Sequence, residues 1–402
     1  MKRRRVKITG IGPVTPAGIG KEAFWKGILE PVSRVTTLTR FPEAAGAFLG
    51  AEVRGFKLER YTSSISSKRL ARHTQFAVAG AVLALADAGL SLSSLRGRSP
   101  LVVVGASLMD FGAINKGVDL IVRKGVVNAL PSSVFSASVS SIGGTIGEMI
   151  GGPVRTLALQ SACCAGTDAL GQAAAMVANG EAEIAVCGGT EAPLYFHPML
   201  ELKMAGLAPD NPDNPMRQCR PFDLWRTTGV IGEGACIFVL EPDDSPRQGY
   251  AYVDGYGFSS DPFENPGGGY GDAIRLAIAN AELRSDQIEC INAWGPGHKS
   301  IDAAEARALA LVFGSDLAMI PTVSIKGAIG NPLGAGGAIQ SGCAALGLRH
   351  DIVAPTVNWQ FPDPECVLNL SGQSRAIQHQ TTLVNSHGLS GTNSSLVFSR
   401  CG

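Results

Sequence analysis

Short apolar runs alternate with segments of helical periodicity along most of this chain, and this alternation constrains the fold more than any other feature of the sequence. Leu101–Gly105 and Ala182–Cys187 have the length and composition of buried strands, whereas His73–Ala88 places apolar residues on one face of a helix. The same alternation resumes after the charged, turn-rich segment Asp243–Gly249. The sequence therefore predicts a layered α/β protein with two similar halves, residues 1–245 and 246–402.

One strand-to-helix junction contains a candidate nucleophile. Thr156–Leu159 predicts a buried strand, and helix-forming residues run from Ala165 to Gly180, so that Cys163 falls in the turn between them. Unpaired N–H groups and the helix dipole at such a turn lower the pKa of a thiol and can hold a thioester oxygen as it gains negative charge. The residues alone leave two interpretations open, a nucleophile or a small buried side chain in a tight junction.

Composition excludes several classes of function. The 402 residues include 34 Lys plus Arg and 34 Asp plus Glu, so no net charge favours a nucleic acid or a membrane surface. No apolar run reaches the roughly 18 residues of a membrane span, and the basic start Met1–Arg5 is not followed by the apolar core of a signal peptide. Nine scattered cysteines without a CxxC pair are typical of a reducing compartment and give no metal site. We therefore expect a cytoplasmic protein.

Four further motifs occur in order over nearly the whole chain. They are Ser161-Ala-Cys-Cys-Ala-Gly166, Arg220-Pro-Phe-Asp-Leu-Trp-Arg-Thr-Thr-Gly-Val-Ile-Gly-Glu-Gly234, Ser324-Ile-Lys-Gly-Ala-Ile-Gly-Asn-Pro-Leu-Gly-Ala-Gly-Gly337 and Asn385-Ser-His-Gly-Leu-Ser-Gly-Thr-Asn393. Together they resemble the β-ketoacyl-acyl carrier protein synthases, the decarboxylating condensing enzymes of fatty acid and polyketide synthesis. The resemblance implies a thiolase-like fold, with two duplicated βαβαβαββ halves in five α-β-α-β-α layers. It also implies acyl carrier protein as a partner, and a homodimer or a heterodimer with a related ketosynthase.

In that family a cysteine accepts an acyl chain from the carrier protein, and two histidines assist decarboxylation of a malonyl thioester. The resemblance implies that Cys163 is this cysteine and that Lys326 is the family's lysine. The N–H groups of Cys163 and Leu389 would form the oxyanion hole, and Asp302 and Glu305 match the family's acidic pair. No cofactor is implied, because the substrates are carried on the phosphopantetheine of acyl carrier protein or on CoA.

Both histidines of the family are replaced in this chain. Trp294 stands at the first of them and Asn331 at the second. Asparagine can donate one hydrogen bond to a thioester oxygen, and related condensing enzymes use Cys-His-Asn, so Asn331 is compatible with condensation. Tryptophan is a donor only, cannot shuttle a proton and is larger than histidine. We therefore expect Trp294 to slow decarboxylation markedly.

Three other residues are candidates for this site by the same resemblance. His387 stands in the gating loop where the family commonly has Phe, and it is either a catalytic substitute or a loop histidine bonded to a backbone carbonyl. His298 stands at a threonine that usually touches pantetheine, and it could bind pantetheine or its phosphate. Met109 stands where a residue limits the acyl pocket, although packing alone would also explain it.

Two kinds of function follow from these observations. In the first, the chain is an acyltransferase of the 3-oxoacyl-acyl carrier protein synthase type that is acylated on Cys163 and takes part in elongation with malonyl units through a Cys-Trp-Asn site. A close variant transfers acyl chains without decarboxylation. In the second, the chain is a silent subunit, similar to a chain-length factor, that pairs with a competent ketosynthase. Loss of both histidines favours the second, and retention of Cys163 favours the first.

Overall fold

The computed structural model of the chain describes residues 4–41, 46–262, 264–265 and 267–402, so residues 1–3 of the basic start lie outside it. The strands are β1 (Val6–Thr15), β2 (Gly18–Ile19), β3 (Val35–Thr37), β4 (Leu49–Ala51), β5 (Leu101–Gly105), β6 (Arg155–Leu159), β7 (Ala185–Glu191), β8 (Gly234–Pro242), β9 (Ala251–Ser260), β10 (Ile291–Asn292), β11 (Thr322–Val323), β12 (Ile352–Val353), β13 (Arg375–Ala376), β14 (Thr381–Gly388) and β15 (Thr392–Arg400). The α-helices are α1 (Lys21–Leu29), α2 (Arg72–Asp87), α3 (Phe111–Lys124), α4 (Pro131–Ala137), α5 (Ser140–Ile150), α6 (Ala165–Ala178), α7 (Phe196–Met204), α8 (Tyr270–Asn280), α9 (Lys299–Phe313), α10 (Lys326–Ile329) and α11 (Gly336–His350).

The main sheet shows that the fold is duplicated. Its order is β11-β10-β14-β15-β9-β1-β8-β7-β5-β6, with β2 paired to β1 at the side. In the first half β5, β6 and β7 run parallel, and β8 runs antiparallel between β7 and β1. In the second half β10, β11 and β14 run parallel, and β15 runs antiparallel between β14 and β9. Each half contributes five strands to this order, if β2 is left out. Numbered by their order along the chain, the five strands of each half lie in the same spatial order from the outer edge inward: third, second, fourth, fifth and first. The halves meet where Lys7 pairs with Tyr252.

The helices complete the five predicted layers. α6 and α11 pack against each other and against strands of both halves, so they form the middle layer. Every residue of α11 from Gly336 to Leu348 is buried, as expected of a helix that is covered on all sides. α2 and α5 cover the outer face of the first half of the sheet, whereas α8 covers the second half and α9 packs on α8. The predicted thiolase-like α/β architecture is therefore confirmed.

Two expectations about individual strands are wrong. The strand predicted at Ala182–Cys187 starts at Ala185 and continues through Gly188 and Gly189 to Glu191. Gly188 has a φ of 145°, and a side chain there would collide with the carbonyl of Cys236 on β8. The glycines therefore serve a close approach of two strands and do not mark a turn.

The second correction concerns the strand before Cys163. β6 is a strand as predicted, but its residues are mostly exposed and not buried. It forms one edge of the sheet and pairs with β5 alone in this single chain. An apolar strand at an open edge is a ready template for pairing with another chain.

Candidate active site

Cys163 lies in a tight turn between a strand and a helix, as the sequence predicts. β6 ends at Leu159, a 3₁₀ turn covers Ala162–Cys164, and α6 begins at Ala165. Ala162 adopts a left-handed conformation with a φ of 49°, which costs an L-residue about 1–2 kcal/mol. Backbone strain immediately before the cysteine indicates that its position is held by the surrounding structure.

The backbone N–H groups of Cys163 and Leu389 lie near the Cys163 sulfur and favour its thiolate. Leu389 follows β14 in the hairpin to β15, so the second half of the fold supplies one donor and the first half supplies the other. Donors at these positions can hold the oxygen of a thioester that forms on the sulfur. The geometry therefore brings together the two residues that the sequence assigns to an oxyanion hole.

The expectation that the turn lowers the pKa of the thiol is wrong for this structure. Cys163 is buried, and burial raises the pKa of its thiol to about 12, with a further increase from the Glu191 carboxylate. Lys326 and the two N–H groups lower it by less. Loss of solvation outweighs the helix terminus because a thiolate in an apolar pocket loses its hydration.

Trp294 is placed by the acidic pair of α9. The N–H groups of Trp294 and Gly295 donate to the carboxylate of Glu305, each at 2.8 Å, and the N–H of Gly297 donates to Asp302 at 3.1 Å. Burial raises the pKa of Asp302 to about 7 and also raises that of Glu305. The Trp294 side chain is 2 % exposed, so the indole occupies the interior of the site.

Lys326 lies against the same indole. Its Nζ is 3.6 Å from the centroid of the Trp294 ring and donates to the Trp294 carbonyl at 2.6 Å and to Gln340 Oε1 at 2.7 Å. Burial lowers the pKa of Lys326 to about 7, and the Glu305 carboxylate opposes this change. The lysine therefore holds the tryptophan and its loop through a cation–π contact and two hydrogen bonds.

Asn331 is held by its backbone on the opposite side of the site. Its N–H donates to the Val230 carbonyl at 2.6 Å, and its carbonyl accepts from the N–H of Gly232 at 2.8 Å. The side-chain Oδ1 accepts a hydrogen bond from the N–H of Leu333 at 3.3 Å, and the residue is half-buried. The amide nitrogen is the part of Asn331 that can donate to a bound thioester.

A small cavity of about 20 Å³ joins these residues. Its lining consists of Cys163, Leu207, Gly229, Ile231, Trp294, Pro296, His298, Ile301, Asn331, Leu333, His387 and Leu389. A space of this size accommodates about one water molecule. The structure thus brings Cys163, Trp294, Asn331, Leu389 and both candidate histidines together, with Lys326 behind the indole.

The two histidines differ in how they are held. His387 Nδ1 lies 2.7 Å from Asn393 Oδ1, so the expected alternative of a bond to a backbone carbonyl is wrong. His298 precedes α9, with Nδ1 3.1 Å from Ser300 Oγ, and the nearby backbone of Gly206 favours its protonated form. Burial lowers the pKa of His298. A role for His298 in binding pantetheine stays a prediction.

Met109 is separate from this cavity in the single chain. It follows β5, is 44 % exposed and is not among the described residues that line the cavity. Its assignment to the acyl pocket stays a prediction. Cys164 has a packing role, since it is fully buried and its Sγ donates to the Thr392 carbonyl.

Several residues that shape the site were missed by sequence reasoning. Glu191 is buried beside the cysteine and accepts hydrogen bonds from the backbone of Ser107, Leu108 and Gly334, and burial raises its pKa to about 7. Gln340 accepts from Lys326, and its amide nitrogen donates to the Ala293 carbonyl at 2.8 Å. A charged or amide side chain inside an apolar strand or helix was the available signal for both residues.

The described residues meet the requirements of neither a membrane-spanning helix nor a metal site. No helix there is long and apolar enough to cross a bilayer. In the same ranges, no three His, Cys, Asp or Glu side chains are grouped so that they could hold a metal ion.

Comparison with protein families gives two adjacent matches that cover most of the chain. Residues 3–245 match the model described as "Beta-ketoacyl synthase, N-terminal domain", and residues 250–360 match "Beta-ketoacyl synthase, C-terminal domain". The 3-oxoacyl-[acyl-carrier-protein] synthase 2 of Synechocystis sp. is 30% identical over 416 aligned positions, which cover 100% of this chain and 99% of that protein. A putative polyketide beta-ketoacyl synthase 1 of Streptomyces virginiae is 33% identical over 391 positions, or 92% of this chain and 91% of that protein.

Solved structures agree with these matches. The ishigamide ketosynthase/chain length factor superimposes with a TM-score of 0.93 at 28% identity and covers 100% of both chains. A ketosynthase in complex with its type II polyketide synthase acyl carrier protein gives a TM-score of 0.89 at 28% identity, over 99% of this chain and 100% of that chain. With the family models, the relatives and the fold in agreement, this chain belongs to the β-ketoacyl synthase family.

Proposed function

We propose that this chain is an acyltransferase of the 3-oxoacyl-acyl carrier protein synthase type. It takes an acyl chain from acyl carrier protein as a thioester on Cys163 and takes part in chain elongation in fatty acid or polyketide synthesis. The observation that carries the proposal is the cysteine itself, which follows a strained residue at the start of α6 and lines one cavity with Leu389, whose backbone N–H favours the thiolate. A residue kept only for packing needs no such donors.

The chemistry of acylation uses groups that the site contains. The Cys163 sulfur attacks the carbonyl carbon of the incoming thioester, and the oxygen gains negative charge in the range of the Cys163 and Leu389 N–H groups. Collapse of this intermediate breaks the bond to the pantetheine sulfur and leaves the acyl chain on Cys163. The apolar cavity wall, with Ile231 and Leu333, keeps bulk water from the new thioester.

Elongation with malonyl units meets a specific obstacle. The cavity of about 20 Å³ leaves room for about one water molecule beside Trp294. The indole cannot exchange protons with a malonyl thioester, and its ring is fixed between Lys326 and the loop held by Glu305. The chain therefore lacks a proton-exchanging group at this position for decarboxylation, whereas the cavity must widen for an acyl chain and for a malonyl group alike.

A second candidate function follows from the same obstacle. A site filled by Trp294 suits a silent subunit that shapes the tunnel of a competent ketosynthase, and one similar solved structure is that of a ketosynthase/chain length factor. The retained cysteine and its N–H donors favour the acylated protein over this alternative.

A partner chain of the same family is part of both proposals. Helix α5 contacts both β6, at the open edge, and α4, and exposed apolar side chains lie on α3, α4 and the segment between them. This surface comprises Val122, Val126, Val127, Val134, Phe135 and Leu157. Such a patch is larger than scattered surface hydrophobics and is typical of an interface. We propose that a second chain, identical or related, covers it.

Intact mass spectrometry with acyl-carrier protein and acyl-CoA donors tests acylation. We expect the parent chain to gain the mass of the acyl group and Cys163→Ala to gain none, with Cys366→Ala, a cysteine outside the cavity, as the matched control. No gain with any donor would contradict the proposal. Malonyl-carrier protein then separates the variants, since release of carbon dioxide shows elongation and transfer without release shows an acyltransferase. A chain that is stable and acylated without a partner argues against the silent subunit.

A further inference from the structure

His387 is fixed at the wall of the cavity that contains Cys163. Its Nδ1 lies 2.7 Å from Asn393 Oδ1, and its ring stacks on buried Tyr270 with centroids 5.0 Å apart and planes at 21°. His387 and Asn393 are cross-strand partners of β14 and β15, so the hairpin sets their distance. The ring therefore has one orientation relative to the cavity.

Asp261 determines the tautomer of this ring. Asn393 Nδ2 lies 2.7 Å from Asp261 Oδ1, and a carboxylate can only accept, so the amide nitrogen faces Asp261 and the amide oxygen faces His387. His387 Nδ1 must then carry the proton that it donates to Asn393. Asp261 is itself held by the N–H groups of Gly267 at 2.6 Å and Gly269 at 3.0 Å. The neutral imidazole thus presents an unprotonated Nε2.

This nitrogen is available for chemistry. Within the described residues His387 Nε2 has no hydrogen-bond partner, and it is not among the polar atoms that the protein seals from solvent. The other basic groups of the site are engaged. His298 is held by Ser300, and Lys326 donates to Trp294 and Gln340.

From this arrangement we infer that His387 is the acid–base residue of the site, with Asn393 and Asp261 as its positioning residues. The inference rests on the proposed acylation of Cys163. Nε2 accepts the thiol proton, directly or through the one water that the cavity can hold, while the sulfur forms its bond to the carbonyl carbon. The bond to the pantetheine sulfur then breaks with its electron pair, and the departing thiolate takes the proton back from Nε2. Atoms and charge balance without any further reactant.

The buried cysteine explains why such a base is needed. Because burial raises the pKa of the Cys163 thiol, very little of it is thiolate at pH 7, so spontaneous ionisation gives a slow nucleophile. A positioned base contributes about 10²–10⁴-fold. The titratable groups around the ring are Tyr270 stacked on it, Asp261 behind Asn393, and Cys163 in the same cavity.

The test compares rates of acyl transfer to Cys163 in His387→Phe and the parent chain, followed by mass spectrometry over about pH 6 to 9. Phenylalanine keeps the stacking on Tyr270 and the volume of the wall. We expect a loss of about 100-fold at neutral pH. We also expect the parent rate to depend less steeply on pH than the variant rate, which rises about tenfold per pH unit with the thiolate fraction of Cys163. His350→Phe, an exposed histidine at the end of α11, is the matched control.

Two further variants separate catalysis from structure. In His387→Ala, free imidazole should restore part of the lost rate, which a structural role would not allow. Asn393→Ala should lower the rate and shift its pH dependence, because the Nδ1 proton is no longer fixed. Equal rates and equal pH profiles in His387→Phe and the parent would overturn the inference while leaving acylation intact. If the parent accepts no acyl group at all, the proposed function fails, and alkylation of Cys163 by iodoacetamide still tests His387, with the same fall in His387→Phe.

Discussion

Trp294 and Gly336 form a size-complementary pair, and the pair gives a sharp prediction about stability. Gly336 is the first residue of α11, and a Cβ placed there would lie 2.8 Å from Cζ3 and 2.9 Å from Cη2 of the Trp294 ring. Carbon atoms pack at about 3.5–4.0 Å, so alanine at this position overlaps two ring atoms. Glycine here leaves room for the indole.

The ring has little freedom to relieve this overlap. Its loop is tied to Glu305 by two hydrogen bonds, and Lys326 lies on its face at 3.6 Å. Overpacking in a closed core costs about 1–3 kcal/mol. Alanine in place of a helical glycine returns about 0.5–1 kcal/mol. We therefore expect Gly336→Ala to lower the free energy of unfolding by about 1–2 kcal/mol.

A double-mutant cycle with Trp294→His isolates the contact. In the Trp294→His background both ring atoms are gone, so Gly336→Ala should be neutral or slightly stabilising, and the coupling between the sites should be about 1–3 kcal/mol. Urea unfolding at one protein concentration provides the measurement. Gly144→Ala on α5, where nothing lies within 4 Å of an added Cβ, measures the helix gain alone. An equal cost of Gly336→Ala in both backgrounds would refute the pairing.

Three further predictions follow from the buried polar groups and the open edge. Glu305→Leu leaves the N–H groups of Trp294 and Gly295 without an acceptor and should lower the free energy of unfolding in urea by about 3 kcal/mol. Glu305→Gln keeps one acceptor and should cost less. Equal costs would contradict the role of Glu305 as the acceptor for this loop. Burial lowers the pKa of Lys326 from 10.5 to about 7, so the unfolded chain binds more protons between these values. The unfolding free energy of the parent relative to Lys326→Met should therefore rise with pH above 7, by about 1 kcal/mol per unit, and a flat difference would count against a lowered pKa. Leu157→Arg on β6 should turn a dimer into a monomer in light scattering, whereas Leu311→Arg, an exposed leucine on α9, should not; a monomeric parent would rule out the interface.

The sequence predicts the architecture well because the pattern of buried and exposed residues is local. Apolar runs and helix periodicity locate β5, α2 and α6 to within a few residues, and the Cys163 junction follows from two of them. The repeated alternation predicts two halves, and the identical strand order of each half confirms the duplication. The exposure of β6 could not be predicted in the same way, since this apolar edge strand has the composition of a buried strand.

Properties that arise between distant segments were the ones that sequence reasoning missed. The pKa of Cys163 depends on burial and on Glu191, which β7 brings beside it, whereas the sequence shows only the helix that follows the cysteine. In the sequence Gly336 is only a poor helix former. The reason for a glycine at this position becomes clear in the structure, where the Trp294 ring packs against it. The tautomer of His387 depends on Asn393 and Asp261, because the hairpin register and the position of β9 place the three side chains in a row.

Acylation of Cys163 is the central claim, and its most direct test locates the acyl group within the adjacent pair Cys163 and Cys164. The chain would be incubated with acyl-carrier protein, digested at low pH to preserve the thioester, and sequenced by fragmentation mass spectrometry. We expect the acyl group on Cys163 in the parent chain and in Cys164→Ser, and no acyl group in Cys163→Ser. An acyl group on Cys164, or none on either residue, would contradict the account.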